Sequence, residues 1–431
     1  MNKTRVFKRS LLAAAVVVTT SQAHAAGFQL NAQSATGIGR AFAGDAVIAD
    51  NASSMARNPA TMALFDKTSL SLGFETITTD ISVTDAKAAG VQPIPNSDYD
   101  DIGGTSVAPN IHLIVPINDK FAFGVNAYSN FGTSTDFSGS ALYDQNGPAA
   151  SFGGETDIKS MNLGLAGSYR LNEQWSFGAG LDIIWGQGTI RRGTAAPTNQ
   201  LIGDNLINVE DADGWAVGYN VGTVYELDEN NRWGLSYRHS PRISVKDDYG
   251  QEITLPLPDM AEFSGYNRIK DTAFAVHYSV QWIGWSAFDD IDFANLDPNR
   301  SGIVKAQSLD PRITTPTSYS KPYAWQDGWH FAIGGTWYVT DKIELRTGYM
   351  HDTSAQDEIT SISVPDSDRN WISGGATYHF TPDSSLDFGI TYLIGSDESV
   401  TELDPTTGDT ALTATTRADA ILVGLQYSQS F

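Results

Sequence analysis

The stretch that decides the fold is ADAILVGLQYSQSF, residues 418–431. Ile421, Val423, Leu425, Tyr427 and Phe431 fall on one face of an extended chain. Leu422, Gly424, Gln426, Ser428 and Ser430 fall on the other. Side chains of a strand alternate between faces with period two. One face is therefore apolar and ends in aromatics, while the other is mostly small or polar. A soluble sandwich can also alternate, because one of its sheet faces meets water. Here the polar side is small rather than charged, which suits a membrane barrel with lipid outside and a polar lumen inside.

The same pattern recurs upstream. WSFGAGLDIIW places Trp175, Phe177, Ala179, Leu181, Ile183 and Trp185 together. WAVGYNVGTVYEL, FAVHYSVQW and FAIGGTWYV repeat it, with aromatics crowding the segment ends as girdles do at the two membrane interfaces. Short polar turns near 173, 229, 341–342 and 382–384 alternate with long polar stretches at 78–105, 134–155, 193–210, 291–320 and 397–415. Strands are expected to begin near 68, 106, 119, 156, 173, 211, 231, 258, 271, 321, 342, 367, 384 and 416. The fold class is then all-β: a 14-stranded antiparallel transmembrane β-barrel. An even number closes the sheet and leaves no edge in the hydrocarbon.

Composition agrees. The 431 residues carry 27 basic and 50 acidic side chains, and that balance excludes nucleic acid, whose phosphates need Lys and Arg. Cysteine is absent, so neither a disulfide framework nor a thiolate metal site is coded. No apolar run of about 20 residues codes a membrane helix.

The chain opens with Lys3, Arg5, Lys8 and Arg9, an apolar run from Leu11 to Val18, and the small-x-small site Ala23-His24-Ala25. This is a secretory signal peptide spanning 1–25. Its removal leaves 23 basic residues against 50 acidic ones, a formal charge of −27.

Residues 26–67 lie between that leader and the barrel, 68–431. They include GRAFAGDAVIADNASSMARNPATMALF, rich in Ala, Gly, Ser and Asn and without strand alternation. Such a segment cannot face lipid, where its backbone groups would go unpaired. A lumen of fourteen strands needs filling if it is to be selective. The segment is therefore an N-terminal hatch, or plug, inside the lumen, with helical turns around 44–64 capped by Asn51 or Asp50.

The sequence resembles the FadL family of long-chain fatty acid transporters of the Gram-negative outer membrane. The likeness covers essentially the whole chain. It rests on AGFQLN, GIGRAFAGDAVIADNASSMARNPA, MNLGLAGSYRLNEQWSFGAGLD, SGYNR and SISVPDSDRNWIS. Asn58-Pro59-Ala60 matches the family's NPA motif in the hatch. The resemblance implies a monomeric barrel that moves hydrophobic substrates inward without ATP or any cofactor. Substrate would pass from an apolar groove among the outer loops to a pocket at the hatch N-terminus. It would leave sideways through a gap at a kinked third strand. Phe28 matches a pocket phenylalanine. Arg192 matches an arginine that meets the carboxylate, with Arg191 on the opposite face as the alternative. Gln326 stands where related fatty acid transporters can have a lysine, which weakens electrostatic capture of an acid. Asn130 and Gly132, in Ser129-Asn130-Phe131-Gly132, match the kink, where glycine can adopt dihedrals closed to other residues.

The expected partners are a long-chain fatty acid or another hydrophobic small molecule, lipopolysaccharide and phospholipid around the barrel, and the barrel assembly machinery through Phe431. A channel for aromatic hydrocarbons or other neutral hydrophobes is the nearest alternative. A structural or adhesive barrel, a hydrophilic porin and an outer-membrane lipid hydrolase are further ones. No GxSxG or HExxH occurs, and acidic pairs such as Asp228-Glu229 and Asp289-Asp290 read as solvated turns, so neither a catalytic residue nor a metal ligand is assigned.

Overall fold

The structure is a computed structural model that describes residues 29–31, 33–100, 102–140, 143, 147, 149–309, 313–404 and 409–431. The expected leader and Phe28 lie outside the described residues. No described helix is long and apolar enough to cross a membrane.

Fourteen strands form the wall. They are β1 (Ser69–Ala88), β2 (Thr105–Pro116), β3 (Phe121–Asp136), β4 (Glu155–Arg170), β5 (Trp175–Gly193), β6 (Asn205–Asp228) and β7 (Asn231–His239). The second half is β8 (Met260–Arg268), β9 (Phe274–Ile283), β10 (Gly328–Thr340), β11 (Ile343–Asp352), β12 (Arg369–Thr381), β13 (Ser384–Gly395) and β14 (Thr410–Ser430). Each pairs antiparallel with the next. β14 closes on β1, starting from Ser430 opposite Ser69. The fourteen strands thus close into a ring, as the hydrocarbon requires.

Alternation sorts the side chains as the sequence predicts. Ile421 is 44% exposed and Tyr427 40%, whereas Leu422 is 3% and Gln426 1%. Leu72, Phe74, Leu163, Leu181, Val217 and Ile372 continue the outward apolar surface. Trp175 packs on Tyr225 at 4.8 Å and Phe121 on Tyr169 at 4.9 Å beside short turns, making a girdle.

Three strand starts depart most from expectation: β6 begins at Asn205 rather than near 211, β14 at Thr410 rather than near 416, and β10 starts late. The tenth strand was expected near 321 but begins at Gly328. Ala324 has a φ of 46°, which breaks the extended chain. Tyr319–Pro322 instead pairs with Asp290–Ala294. With Arg242–Lys246 and Glu252–Pro256 this makes a four-stranded sheet on the long-loop, outer side.

The hatch fills the lumen. It carries a short helix at Ala35–Ile38, another at Ser54–Arg57 and a 3₁₀ turn at Pro59–Leu64; the first and last are capped by side chains, those of Ser34 and Asn58. Ser34 Oγ accepts from Gly37 N, Asn51 Oδ1 from Ser53 N, and Asn58 Oδ1 from Ala60 N. Asn51 thus turns the chain just ahead of the Ser54–Arg57 helix, which has no side-chain cap, and Asp50 pairs with Arg40 at 2.6 Å, so neither forms the expected cap. The first helix lies ahead of the expected 44–64 range.

Wall hydroxyls take up hatch backbone groups: Ser279 accepts from Gly44 N, Ser71 accepts from Ala52 N, and Thr391 donates to Ile38 O. Wall glycines let the two backbones approach. A methyl at Gly348 would lie 2.1 Å from Arg40 O, and one at Gly389 2.2 Å from Ala35 O. Gly178 and Gly222 stand equally close to Pro59 C and Asn58 Oδ1, at 2.3 and 2.0 Å. Asn58-Pro59-Ala60 is thus seated against the wall, with Asn58 Nδ2 donating to Ala46 O and Thr223 O.

Candidate functional site: a bulged strand, an aromatic column and two buried cations

The wall is incomplete between β2 and β3. Their pairing runs only from Pro116 opposite Ala122 to Ile111 opposite Ala127. Residues 105–110 of β2 pair with β1 alone. Pro109 lies in this stretch, and a residue without an N–H suits an unpaired edge.

On its other side β3 shifts register against β4 between Ser129 and Gly132. Asn130 and Phe131 occupy that bulge. Phe131 N donates to Ser160 Oγ at 3.1 Å, and Ser160 Oγ donates to Asn130 Oδ1 at 2.7 Å. Gly132 is where pairing resumes, opposite Lys159. It has no positive φ, so the glycine-only dihedral expected of it is not used; the register shift makes the kink instead.

The hatch covers this gap from within. Gln29 forms an antiparallel bridge to Phe131, and Leu30 N donates to Asn130 O at 2.8 Å. A cavity of about 30 Å³ lies alongside, touched by Leu30, Arg57, Tyr128, Asn130 and Met260. That volume holds about one water molecule.

The bulge aims Phe131 inward, where it is fully buried. Its ring meets Trp285 edge-on at 6.4 Å. From there Trp285 meets Trp325 at 5.0 Å, Trp325 meets Phe288 at 4.6 Å, and Phe288 meets Tyr323 at 5.1 Å. Ile243, Val245, Ile253 and Ile291, from the inner face of the outer sheet, pack on the same column.

Two cations stand at its outer end. Arg192 is buried; its guanidinium donates to Glu155 O at 2.7 Å and to Thr156 Oγ1 at 2.7 Å, and it bonds the Tyr323 hydroxyl. Arg191 points away and pairs with Glu155 and Glu210 at 2.7 and 2.9 Å. Of the two arginines, the inward one is therefore Arg192.

Lys321, on the inner face of the outer sheet, places Nζ 3.1 Å from Ser361 Oγ, 3.8 Å from Glu402 Oε2 and 5.1 Å from the Tyr323 ring centre. Burial works to lower its pKa, but the Glu402 carboxylate together with Tyr323 and Tyr319 outweighs this, and the net direction is upward. Gln326 is not in this group. It is exposed, its N donates to Ala355 O at 2.8 Å, and its amide makes only long contacts to Ser354 O and Gln356 O.

Sequence reasoning missed Lys321, five residues upstream, because the segment read as the start of a wall strand. The signal available was the proline directly after it, which suits a short edge strand. Among the described residues no three His, Asp or Glu side chains gather to hold a metal ion.

Comparison with known proteins places this geometry. The profile of the family described as "Outer membrane protein transport protein (OMPP1/FadL/TodX)" matches residues 16–431. The "Long-chain fatty acid transport protein" of Salmonella typhi is 35% identical, covering 93% of this chain and 95% of that protein. The crystal structure of a Pseudomonas aeruginosa FadL homologue superposes with a TM-score of 0.77 at 21% identity, covering 94% of this chain and 100% of the other. The Pseudomonas putida toluene transporter TodX superposes at 0.65 and 18% identity, covering 94% and 100%. The two structural likenesses bear on the fold alone.

Proposed function

The chain belongs to the OMPP1/FadL/TodX family of outer membrane transport proteins, and we propose how its residues serve that transport. It is an outer-membrane β-barrel that passes long-chain fatty acids or related hydrophobic molecules, and it is a channel rather than an enzyme.

In our reading the cargo is an amphipathic acid. Its head meets Arg192 and Lys321 and its tail lies along Tyr323, Phe288, Trp325, Trp285 and Phe131. It then leaves between β2 and β3 once residues 29–31 part from the bulge. The observation that carries this is the continuity of the aromatic column from the two cations to the bulge beside the stretch of β2 that β3 leaves unpaired. Each CH₂ kept out of water stabilises the bound chain by about 0.8 kcal/mol. The charged head needs charge-assisted hydrogen bonds, or it would stay in water. Lys321 supplies the second positive charge that Gln326 cannot.

We further infer that 1–25 is the removed leader, 26–67 the hatch and 68–431 the barrel. Phe28 joins the pocket from the hatch N-terminus, Phe431 presents the assembly signal, and the barrel works as a monomer ringed by lipopolysaccharide and phospholipid.

The test is displacement of a fluorescent fatty acid from purified protein by an acid and by the alcohol of equal length. Lys321→Gln and Arg192→Gln are expected to weaken the acid and spare the alcohol. Equal losses for both ligands would mean that these residues support structure only, and no change for either would favour a carrier of neutral hydrophobes, a role to which the aromatic column is also suited.

A further inference from the structure

The two cations at the outer end of the aromatic column share one carboxylate. Glu402 sits on the short strand Glu398–Leu403, which pairs with β14, and its side chain is buried. Its Oε1 accepts from Ser361 Oγ at 2.6 Å and from Ile362 N at 2.9 Å. Its Oε2 lies 3.8 Å from Lys321 Nζ. Donors at one oxygen and an ammonium near the other suit the ionised form.

Hydroxyl groups tie this carboxylate to both cations. Lys321 Nζ donates to Ser361 Oγ at 3.1 Å and to Ser363 Oγ at 3.4 Å. Ser361 and Ser363 meet at 2.9 Å, Ser363 meets the Tyr323 hydroxyl at 3.2 Å, and Arg192 bonds that same hydroxyl. Glu402, Lys321, Tyr323 and Arg192 thus belong to one connected group. The other partners of Arg192 are Glu155 O, Arg191 O and Thr156 Oγ1, and none of these atoms is charged. Of the carboxylates, Glu402 acts most strongly on both cations.

The charges in this group do not cancel. Two cations against one carboxylate leave a single positive charge over. An ammonium has three N–H donors, and the two serines take two of those on Lys321. A buried ion without a counter-charge is costly. A head group with one negative charge completes the balance. A head group with two would set its second charge beside Glu402, and like charges brought together at a binding site repel.

We propose that Glu402 is a specificity-determining residue that limits the head group to one negative charge and turns dianionic amphiphiles away. This rests on the head-group reading given above and adds to it the charge that the site selects. Glu402 acts through Lys321 and by repulsion, so it is a positioning residue rather than a ligand contact.

Decyl sulfate and decyl phosphate are the probes, because they share a tetrahedral head and an equal chain. The sulfate carries one negative charge. The phosphate has a second pKa of about 6 and carries mostly two negative charges at about pH 8. Each is used to displace a fluorescent fatty acid from the purified protein, with decanol as the neutral control. At about pH 8 the wild type should favour the sulfate by about tenfold or more. Glu402→Gln, which keeps an acceptor for Ile362 N, should remove that preference and leave decanol unchanged. Glu402→Asp keeps the charge and should keep the preference. A purely structural role would weaken all three ligands together and leave their ratio alone. The same preference in the wild type and Glu402→Gln, or none in the wild type, would overturn the proposal. If Lys321→Gln weakens the sulfate while Glu402→Gln leaves the ratio unmoved, the role of Glu402 alone falls. If neither Lys321→Gln nor Arg192→Gln affects the sulfate, the head-group reading falls and takes this inference with it. Should Glu402→Gln not fold, the wild type decides. Its affinity for the phosphate should rise relative to the sulfate as pH is lowered from about 8 to about 5, where the phosphate becomes a monoanion. An unchanged ratio across that range contradicts the proposal.

Discussion

Two parts of the hatch meet the same barrel in different ways. Residues 35–64 touch the wall backbone to backbone across glycines, with Gly348, Gly389, Gly178 and Gly222 leaving no room for a side chain. Three wall arginines, Arg170, Arg232 and Arg238, donate to the hatch carbonyls of Ala63, Ile48 and Ala56. Inside the hatch, Arg40 bridges Asp45 and Asp50 at 2.8 and 2.6 Å. Residues 29–31 and 33 are attached by hydrogen bonds rather than across glycines. They hold the bulge through Leu30 N and the Gln29 bridge, and reach the wall through Asn31 to His330 at 3.1 Å and Gln33 to His112. In the proposed reading the contrast separates two tasks: the glycine seat seals the lumen, and the short segment at the bulge leaves without unseating it.

The largest expected effect comes from removing both parts. Deleting residues 26–60 from the exported protein should leave a folded barrel with large, nonspecific ion conductance in planar bilayers. Equal conductance of intact and deleted forms would erase the distinction. Next, Arg40→Ala should destabilise the seat by about 3–5 kcal/mol, because it leaves buried carboxylates without their partner. Leu30→Ala at the bulge should not open a pore. Sensitivity of cells to large hydrophilic antibiotics separates these two variants, and equal sensitivity would break the comparison.

A smaller effect falls on the cargo. Arg192→Gln should weaken a long-chain acid by roughly 1.5–3 kcal/mol, typical of a hydrogen bond to a charged group, and leave the alcohol nearly unchanged. Displacement titration measures both.

The smallest effect concerns pH. Lys321 has its pKa raised beside Glu402, so the ammonium and what it contributes are present below the ordinary value of 10.5 and are lost only above it. Acid binding measured between pH 7 and 9 should therefore be flat. A loss across that window would remove Lys321 from the site.

The wall was legible because alternation is a local property. Ile421 and Leu422 reveal their faces by their neighbours alone. The hatch was legible as a segment unfit for lipid, and Asn58 as a turn residue, but the glycine contacts were not. Gly348 and Arg40 are far apart in sequence, and nothing near either announces the other. The site shows the same limit. The sequence left Arg191 and Arg192 as alternatives, and only the direction of the side chains in the fold shows that Arg192 is the inward one. Lys321 could not be placed, because an inward aromatic run such as Tyr323 and Trp325 looks like a wall strand until Ala324 turns the chain. At Asn130 and Phe131 the structure has a register shift and no special dihedral at Gly132, and pairing register is not written in either strand by itself.

Hydrogen exchange of the purified protein, with and without a long-chain fatty acid, tests the central claim most directly. The account predicts that the acid speeds exchange in the peptide carrying Leu30, whose amide bonds Asn130 at the bulge. Peptides from 44–64 should remain slow and unchanged. Equal acceleration across both parts would mean that the hatch moves as one body and that the glycine seat does not hold it.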